Sequence, residues 1–88
     1  MKNGRHIVER HEFGDYVIYI TKGDNKKYPV ISAYKRNEYG GLDFVNSLQI
    51  TSDGRIIGLS PAGGNVPREI YEFMIKKAHE YGASFDRE

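Results

Sequence analysis

The sequence predicts an α+β domain: an antiparallel sheet of four to five strands with one C-terminal helix packed on one face. Three observations carry this expectation. Between residues 5 and 60, runs rich in Val, Ile, Thr, Tyr and Phe alternate with breaks containing Gly, Asp and Asn, as strands alternate with turns. Asp53-Gly54 lies between two apolar-rich runs, a strong short-range hairpin signal. From Asn65 onward the apolar spacing lengthens to that of a helix lying on a sheet. A chain of 88 residues has room for one core, so residues 1–88 read as a single small domain.

Taken in order, residues 5–13 place Ile7 and Val8 among His6, Glu9, Arg10, His11 and Glu12, a charge pattern suited to a protected sheet edge. Gly14-Asp15 is a turn. Residues 16–22 form a second strand, with Val17, Ile18, Tyr19, Ile20 and Thr21 all β-branched or aromatic. Residues 23–27 are a polar loop. The third strand, 28–36, tolerates Pro29 only at its start, and Val30, Ile31, Ala33 and Tyr34 put apolar atoms on both faces, as in a central strand. Residues 37–41 lead into the hairpin of strands 42–52 and 55–60.

Asp53-Gly54 suits a two-residue type I′ loop. That register pairs Thr51 with Ile56, Ile50 with Ile57, Gln49 with Gly58 and Leu48 with Leu59. Leu42, Phe44, Leu48, Ile50, Ile57 and Leu59 then share one face with Ile18 and Ile20, under the helix. A three-residue loop pairs Ile50 with Ile56 and scatters the apolar set, so the shorter loop is expected. The helix is expected over about 66–81, with Ile70, Phe73, Met74, Lys77 and Tyr81 along its stripe and Val66 and Ala78 beside them. Asn65 is its N-cap, Pro67 falls in its first turn and Gly82 stops it. Residues 83–88 read as a tail.

Composition removes several classes of chemistry. Without Cys there are no disulfides, thiolate metal sites or cysteine nucleophiles, and a reducing, cytoplasmic setting is expected. A net charge of +1 gives no general attraction to nucleic acid or anionic membranes. No signal segment or spanning run is visible, so no membrane partner is expected.

Specific chemistry is sparse. Glu9 and His11 share a strand face, but two ligands do not make a metal site, and none is expected. The serines lie in no nucleophile elbow, so no catalytic residue is assigned and no enzyme is expected. The loop Ser60, Pro61, Ala62, Gly63, Gly64, Asn65 enters the helix and, with Arg68, could cradle the phosphate of a small molecule such as a nucleotide. It lacks the spacing of known phosphate motifs and reads first as a capped turn. The face opposite the helix is the stronger feature. Val17, Tyr19, Thr21, Gln49, Thr51 and Ile56 are expected to look outward there, with either Val30 and Tyr34 or Ile31 and Ala33 beside them and Tyr34 taken as the partner-binding residue of that strand. The expectation is a non-catalytic, inhibitor- or adaptor-like binding module, without cofactors. Its partner on that face is a protein, including a second copy in a homodimer. The alternative is single-stranded nucleic acid stacked on the aromatics, with Arg10, Lys22, Lys35, Arg36 and Arg55 supplying cations.

Overall fold

Five strands follow one another across the sheet in chain order, and the helix carries the chain back to its far side for a sixth. The computed structural model describes residues 5–85. The strands are β1 (Arg5–Phe13), β2 (Tyr16–Gly23), β3 (Val30–Arg36), β4 (Leu42–Ile50) and β5 (Arg55–Leu59), each antiparallel to the next. Helix α1 (Arg68–Glu80) follows, and β6 (Ser84–Phe85) pairs parallel to β5. The fold is the predicted α+β sheet with one C-terminal helix, widened to six strands in the order β1-β2-β3-β4-β5-β6. The expected tail supplies the extra strand. His79 Nδ1 donates to the Ala83 carbonyl at 3.0 Å, and buried Ala83 leads Ser84 and Phe85 alongside Arg55 and Ile56.

The core lies between α1 and one sheet face. Ile70, Met74 and Ala78, spaced four apart, bury the helix stripe against Ile18, Ile20, Ile31, Ala33, Leu48 and Ile56. Cross-strand pairs Ile18–Ala33, Ile20–Ile31 and Ile31–Leu48 form the floor. Phe73 reaches β1, its ring 4.8 Å edge-on from both His11 and Phe13. In β3, therefore, Ile31 and Ala33 meet the helix, and Val30, Ser32 and Tyr34 take the other side.

The helix begins later than its spacing suggests. Pro67 occupies the N-cap position with no side-chain cap, and Asn65 stays in the preceding loop. Its C-terminus matches expectation. Gly82, at φ +97°, donates to the His79 carbonyl at 3.0 Å while the Ala83 amide donates to Ala78 at 3.0 Å, the bonding of a Schellman stop.

Three one-residue bulges correct the expected faces. In β4, Ala33 pairs with Asn46 but Tyr34 pairs with Phe44, so Val45 is an extra residue. Each such insertion reverses every side chain beyond it. Phe44, expected under the helix, is instead 57% exposed on the opposite face. A bulge at Val8 similarly separates Ile7 from Glu9 in β1.

The third bulge overturns the expected hairpin. No residue other than Gly has positive φ among the described residues, so Asp53 cannot occupy a type I′ turn. The loop has three residues instead. Gly54 N donates to the Thr51 carbonyl at 3.0 Å, Thr51 N donates to the Arg55 carbonyl at 2.9 Å, and Gly54 carries φ +90°. Ile50 thus pairs with Ile56, and a bulge at Ile57 restores the expected Gln49–Gly58 and Leu48–Leu59 pairs. Ile56 moves into the core at 3% exposure, whereas Ile57 is 54% exposed.

The turn at 37–41 repeats this design. Asn37 N donates to the Gly41 carbonyl at 2.9 Å, and Gly40 takes φ +86°. In both turns the first residue's side-chain oxygen accepts the amide four residues on, from Gly41 to Asn37 Oδ1 at 3.0 Å and from Arg55 to Thr51 Oγ1 at 2.9 Å. The two turns differ in their surroundings. A Cβ on Gly40 meets open space, whereas one on Gly54 lies 2.5 Å from the Tyr28 ring. Gly40→Ala therefore isolates the backbone cost, expected at about 1–2 kcal/mol. Gly54→Ala should cost about 1–3 kcal/mol more, through overpacking against Tyr28. Denaturant midpoints of the two variants check the difference.

Candidate protein-interaction face

The single helix covers one side of the sheet and leaves the other without a second layer. Across that open side the register sets Arg10 beside Tyr19, Val17 beside Tyr34, and Tyr34 beside Phe44. Three aromatic rings interlock there. Tyr19 and Tyr34 meet edge to face with centroids 5.5 Å apart, and Tyr34 and Phe44 meet likewise at 5.5 Å. Each contact of this kind is worth about 0.5–1.5 kcal/mol beyond area burial. The row is fixed in place while Phe44 remains largely in solvent.

Arg10 closes one end of the row. Its Nε donates to the Tyr19 hydroxyl at 3.2 Å, and its guanidinium carbon lies 5.7 Å from that ring's centroid. Glu12 then joins two cations, accepting from Arg10 Nη1 on one oxygen and from Arg36 Nη2 on the other, the latter at 2.6 Å. The Arg10 hydrogen bond, helped by the nearby charges of both guanidiniums, holds the Glu12 carboxyl below its ordinary range. Beyond the aromatic row the face turns polar, with Thr21, Ser32, Ser47 and Gln49.

Of the residues expected on this face, Tyr19, Thr21, Tyr34 and Gln49 are there. Three are corrected. Val17 points to this side but is fully buried, lying between its strand partners Glu12 and Tyr34. Ile56 lies in the core because the hairpin loop is one residue longer than expected. Thr51 belongs to the turn, where its hydroxyl accepts the Arg55 amide and donates to Asp53. Phe44 was hidden by the Val45 bulge. Asn46 was its one sequence signal: a polar side chain at the alternation position between Phe44 and Leu48 marks a strand that changes face.

The glycine-rich loop does not gather its N–H groups around a vacant point. Gly63 N donates to the Ser60 carbonyl at 3.1 Å, Gly64 N to the Val45 carbonyl at 2.9 Å, and Ala62 N to Ser60 Oγ at 3.3 Å. Asn65 and Arg68 lie together on a separate open hollow of about 520 Å³ with Leu59, Val66, Tyr71 and Glu72. The donors expected to converge on a phosphate are thus bonded within the chain or split between two places. Gly63 has a packing role, since a Cβ there falls 2.5 Å from the Asn46 carboxamide. Gly63→Ala should therefore destabilise by about 1–3 kcal/mol with no ligand present, as thermal or denaturant unfolding will read.

A second polar cluster joins β1 to α1. Glu9 accepts from Lys77 Nζ at 2.8 Å and His11 Nε2 at 2.7 Å on one oxygen, and from the Tyr81 hydroxyl at 2.6 Å on the other. These bonds, with that from Lys77 the largest cause, draw the Glu9 carboxyl down to about 2. The same bond to Glu9, aided by burial, lifts Tyr81 to about 12. A carboxylate held by three donors has little capacity left for a substrate or metal. Among the described residues no group of three His, Asp or Glu side chains is placed to hold a metal ion, and no helix is long and apolar enough to cross a membrane.

Comparison with known proteins leaves the geometry to speak for itself. No protein-family model matches the chain, and neither a curated protein nor a solved structure does.

The Glu9 cluster gives a definite pH response. The folded state holds Glu9 ionised down to about 2, against an ordinary 4.5, so its contribution is whole above about pH 4.5 and is lost as pH falls toward 2. The side chain retains some solvent contact, which screens the effect to no more than about 2 kcal/mol. Unfolding free energies at pH 6 and pH 3 should show wild type losing the larger part of this increment and Glu9→Gln lacking it.

Proposed function

We propose that this chain is a non-catalytic interaction module, inhibitor- or adaptor-like, that engages a protein through the open face of its sheet. The observation that carries the reading is the interlocked row Tyr19–Tyr34–Phe44, held without a covering layer and ending in Arg10. Tyr and Arg are the residues that most often dominate binding energy at interfaces, and rings already fixed in place lose little freedom when covered. A second copy of the chain is one candidate partner, and the absence of cysteine suits an intracellular setting.

A protein suits this face better than a nucleic acid because a glutamate divides its cations. Arg10 and Arg36 both bond to Glu12, which leaves no continuous basic track for a run of phosphates. The non-catalytic reading is supported by the Glu9 cluster, in which convergent titratable groups satisfy one another.

Phe44→Glu tests the proposal. The side chain is mostly in solvent, so the change should cost the fold only about 0.5–1.5 kcal/mol, the ring contact with Tyr34, while placing a charge in the apolar row. Circular dichroism should be unchanged. Proteins retained from a native-host extract by immobilised wild type should be lost from the variant, and sedimentation of both reports whether a second copy is among them. Ile56→Glu is the contrasting control: it buries a charge in the core and should unfold the chain. A monomeric wild type whose retained proteins are all kept by Phe44→Glu would sink the proposal.

A further inference from the structure

The charged end of the aromatic row carries information about the partner's chemistry. One carboxylate, Glu12, lies between two guanidiniums, so this end of the open face has a surplus positive charge. Each guanidinium presents five N–H donors in a fixed fork. Among the described residues, Arg10 uses donors on Glu12 and Tyr19, and Arg36 uses one on Glu12. Both side chains keep about two-fifths of their surface in water, at 42% and 37%. The Arg10 guanidinium lies over Tyr19, at the β1 end of the aromatic row. The forks are held by Glu12 and the Tyr19 hydroxyl, so an incoming acceptor need not immobilise two free arginine side chains.

Resting on the interaction-face reading, we infer that this face takes an acidic segment of a protein partner. An Asp or Glu carboxylate meets the outward N–H groups of Arg10 and Arg36, and an apolar side chain beside it covers Tyr34 and Phe44. Planar forks match carboxylates in paired, charge-assisted hydrogen bonds. A single-stranded nucleic acid fits less well, because a run of phosphates needs a longer basic track than two arginines divided by a glutamate. A second copy fits less well too, since each copy brings the same positive surplus to the contact.

The experiment selects dodecamer peptides from a random phage-displayed library on immobilised wild-type protein. Recovered peptides are then measured by fluorescence polarisation against wild type and variants whose fold is checked by circular dichroism. The expected peptides carry Asp or Glu within a few residues of an apolar side chain. Arg10→Gln and Arg36→Gln should each weaken them about tenfold or more, the usual scale of a lost hydrogen bond to a charged group. Arg36→Lys keeps the charge but loses the fork, and should fall between. Peptides that ignore both arginine changes but are lost with Phe44→Glu would overturn the acidic-segment inference and leave the interaction face standing. Peptides that also ignore Phe44→Glu would overturn both. Recovery of no peptide overturns the acidic-segment inference, and the extract capture above then judges the face alone. Two parallel arms identify the other occupants. Oligothymidylate binding that the arginine changes abolish makes the ligand a phosphate chain, and self-association abolished by Phe44→Glu makes it a second copy. Either result overturns the inference.

Discussion

Asn46 lies buried where β4 changes face, and its carboxamide makes four hydrogen bonds. Its Nδ2 donates to the carbonyls of Ser60 and Gly64, each at 2.9 Å, while Oδ1 accepts the amides of Ser47 at 2.8 Å and Ser60 at 3.1 Å. A buried amide without these partners costs several kcal/mol, and with them it becomes a specific fastener. The neighbouring Val45 carbonyl, displaced from the regular ladder by the bulge, receives the Gly64 amide. One side chain therefore stabilises the bulge and fixes the route from β5 toward the helix. Both consequences matter for function, because the bulge sends Leu48 inward and Phe44 outward. The two halves of one strand serve different surfaces.

A sheet this wide and a single helix cannot cover one another completely. Helix α1 buries Ile70, Met74 and Ala78 on the central strands, and Phe73 extends the contact to β1. Its far end is held to β1 by polar contacts, through Glu9, Lys77 and Tyr81, where the apolar stripe has run out. On the other face the chain manages without a layer by packing its own side chains flat. Tyr34 lies against Tyr19 and Phe44, and the Arg10–Glu12–Arg36 network shares the surface with them, so Val17 is fully buried with no second layer above it. The open face is thus a finished surface with fixed rings and fixed charges, which separates it from an incompletely covered core.

Regularity made most of the fold legible in the sequence. Strand and helix positions follow from β-branched runs and from a four-residue repeat in α1, both summed over many residues. What escaped depends on single residues. Asp53-Gly54 serves a type I′ loop or the last two positions of a three-residue loop equally well, and Thr51 decides between them by accepting the Arg55 amide. Apolar alternation favoured the shorter loop only on the assumption of a ladder without bulges. A three-residue loop with a bulge at Ile57 recovers the same Leu48–Leu59 pair as a two-residue loop without one, so the pattern could not discriminate. The same blindness misassigned Ile56 and Phe44 and thereby part of the candidate face. Phe85 was missed because a two-residue strand has no period to read; it is set by the Gly82 stop and the His79 bond to Ala83.

The two charged clusters of β1 show how one strand can be structural on one face and available on the other. Glu9 and His11 point to the helix, and Arg10 and Glu12 point away, by the alternation of a strand past its bulge. Toward the helix, one carboxylate meets three donors, and most of its acceptor sites are filled. Away from the helix, one carboxylate meets two guanidiniums, and donors are in excess. Filled acceptor sites suit a joint between strand and helix, because the donors from Lys77 and Tyr81 tie the two elements together. Excess suits a surface, because water satisfies the idle donors until an acceptor displaces it. Within four consecutive residues, the sign of the imbalance separates the group that ties strand to helix from the group that keeps spare donors in solvent.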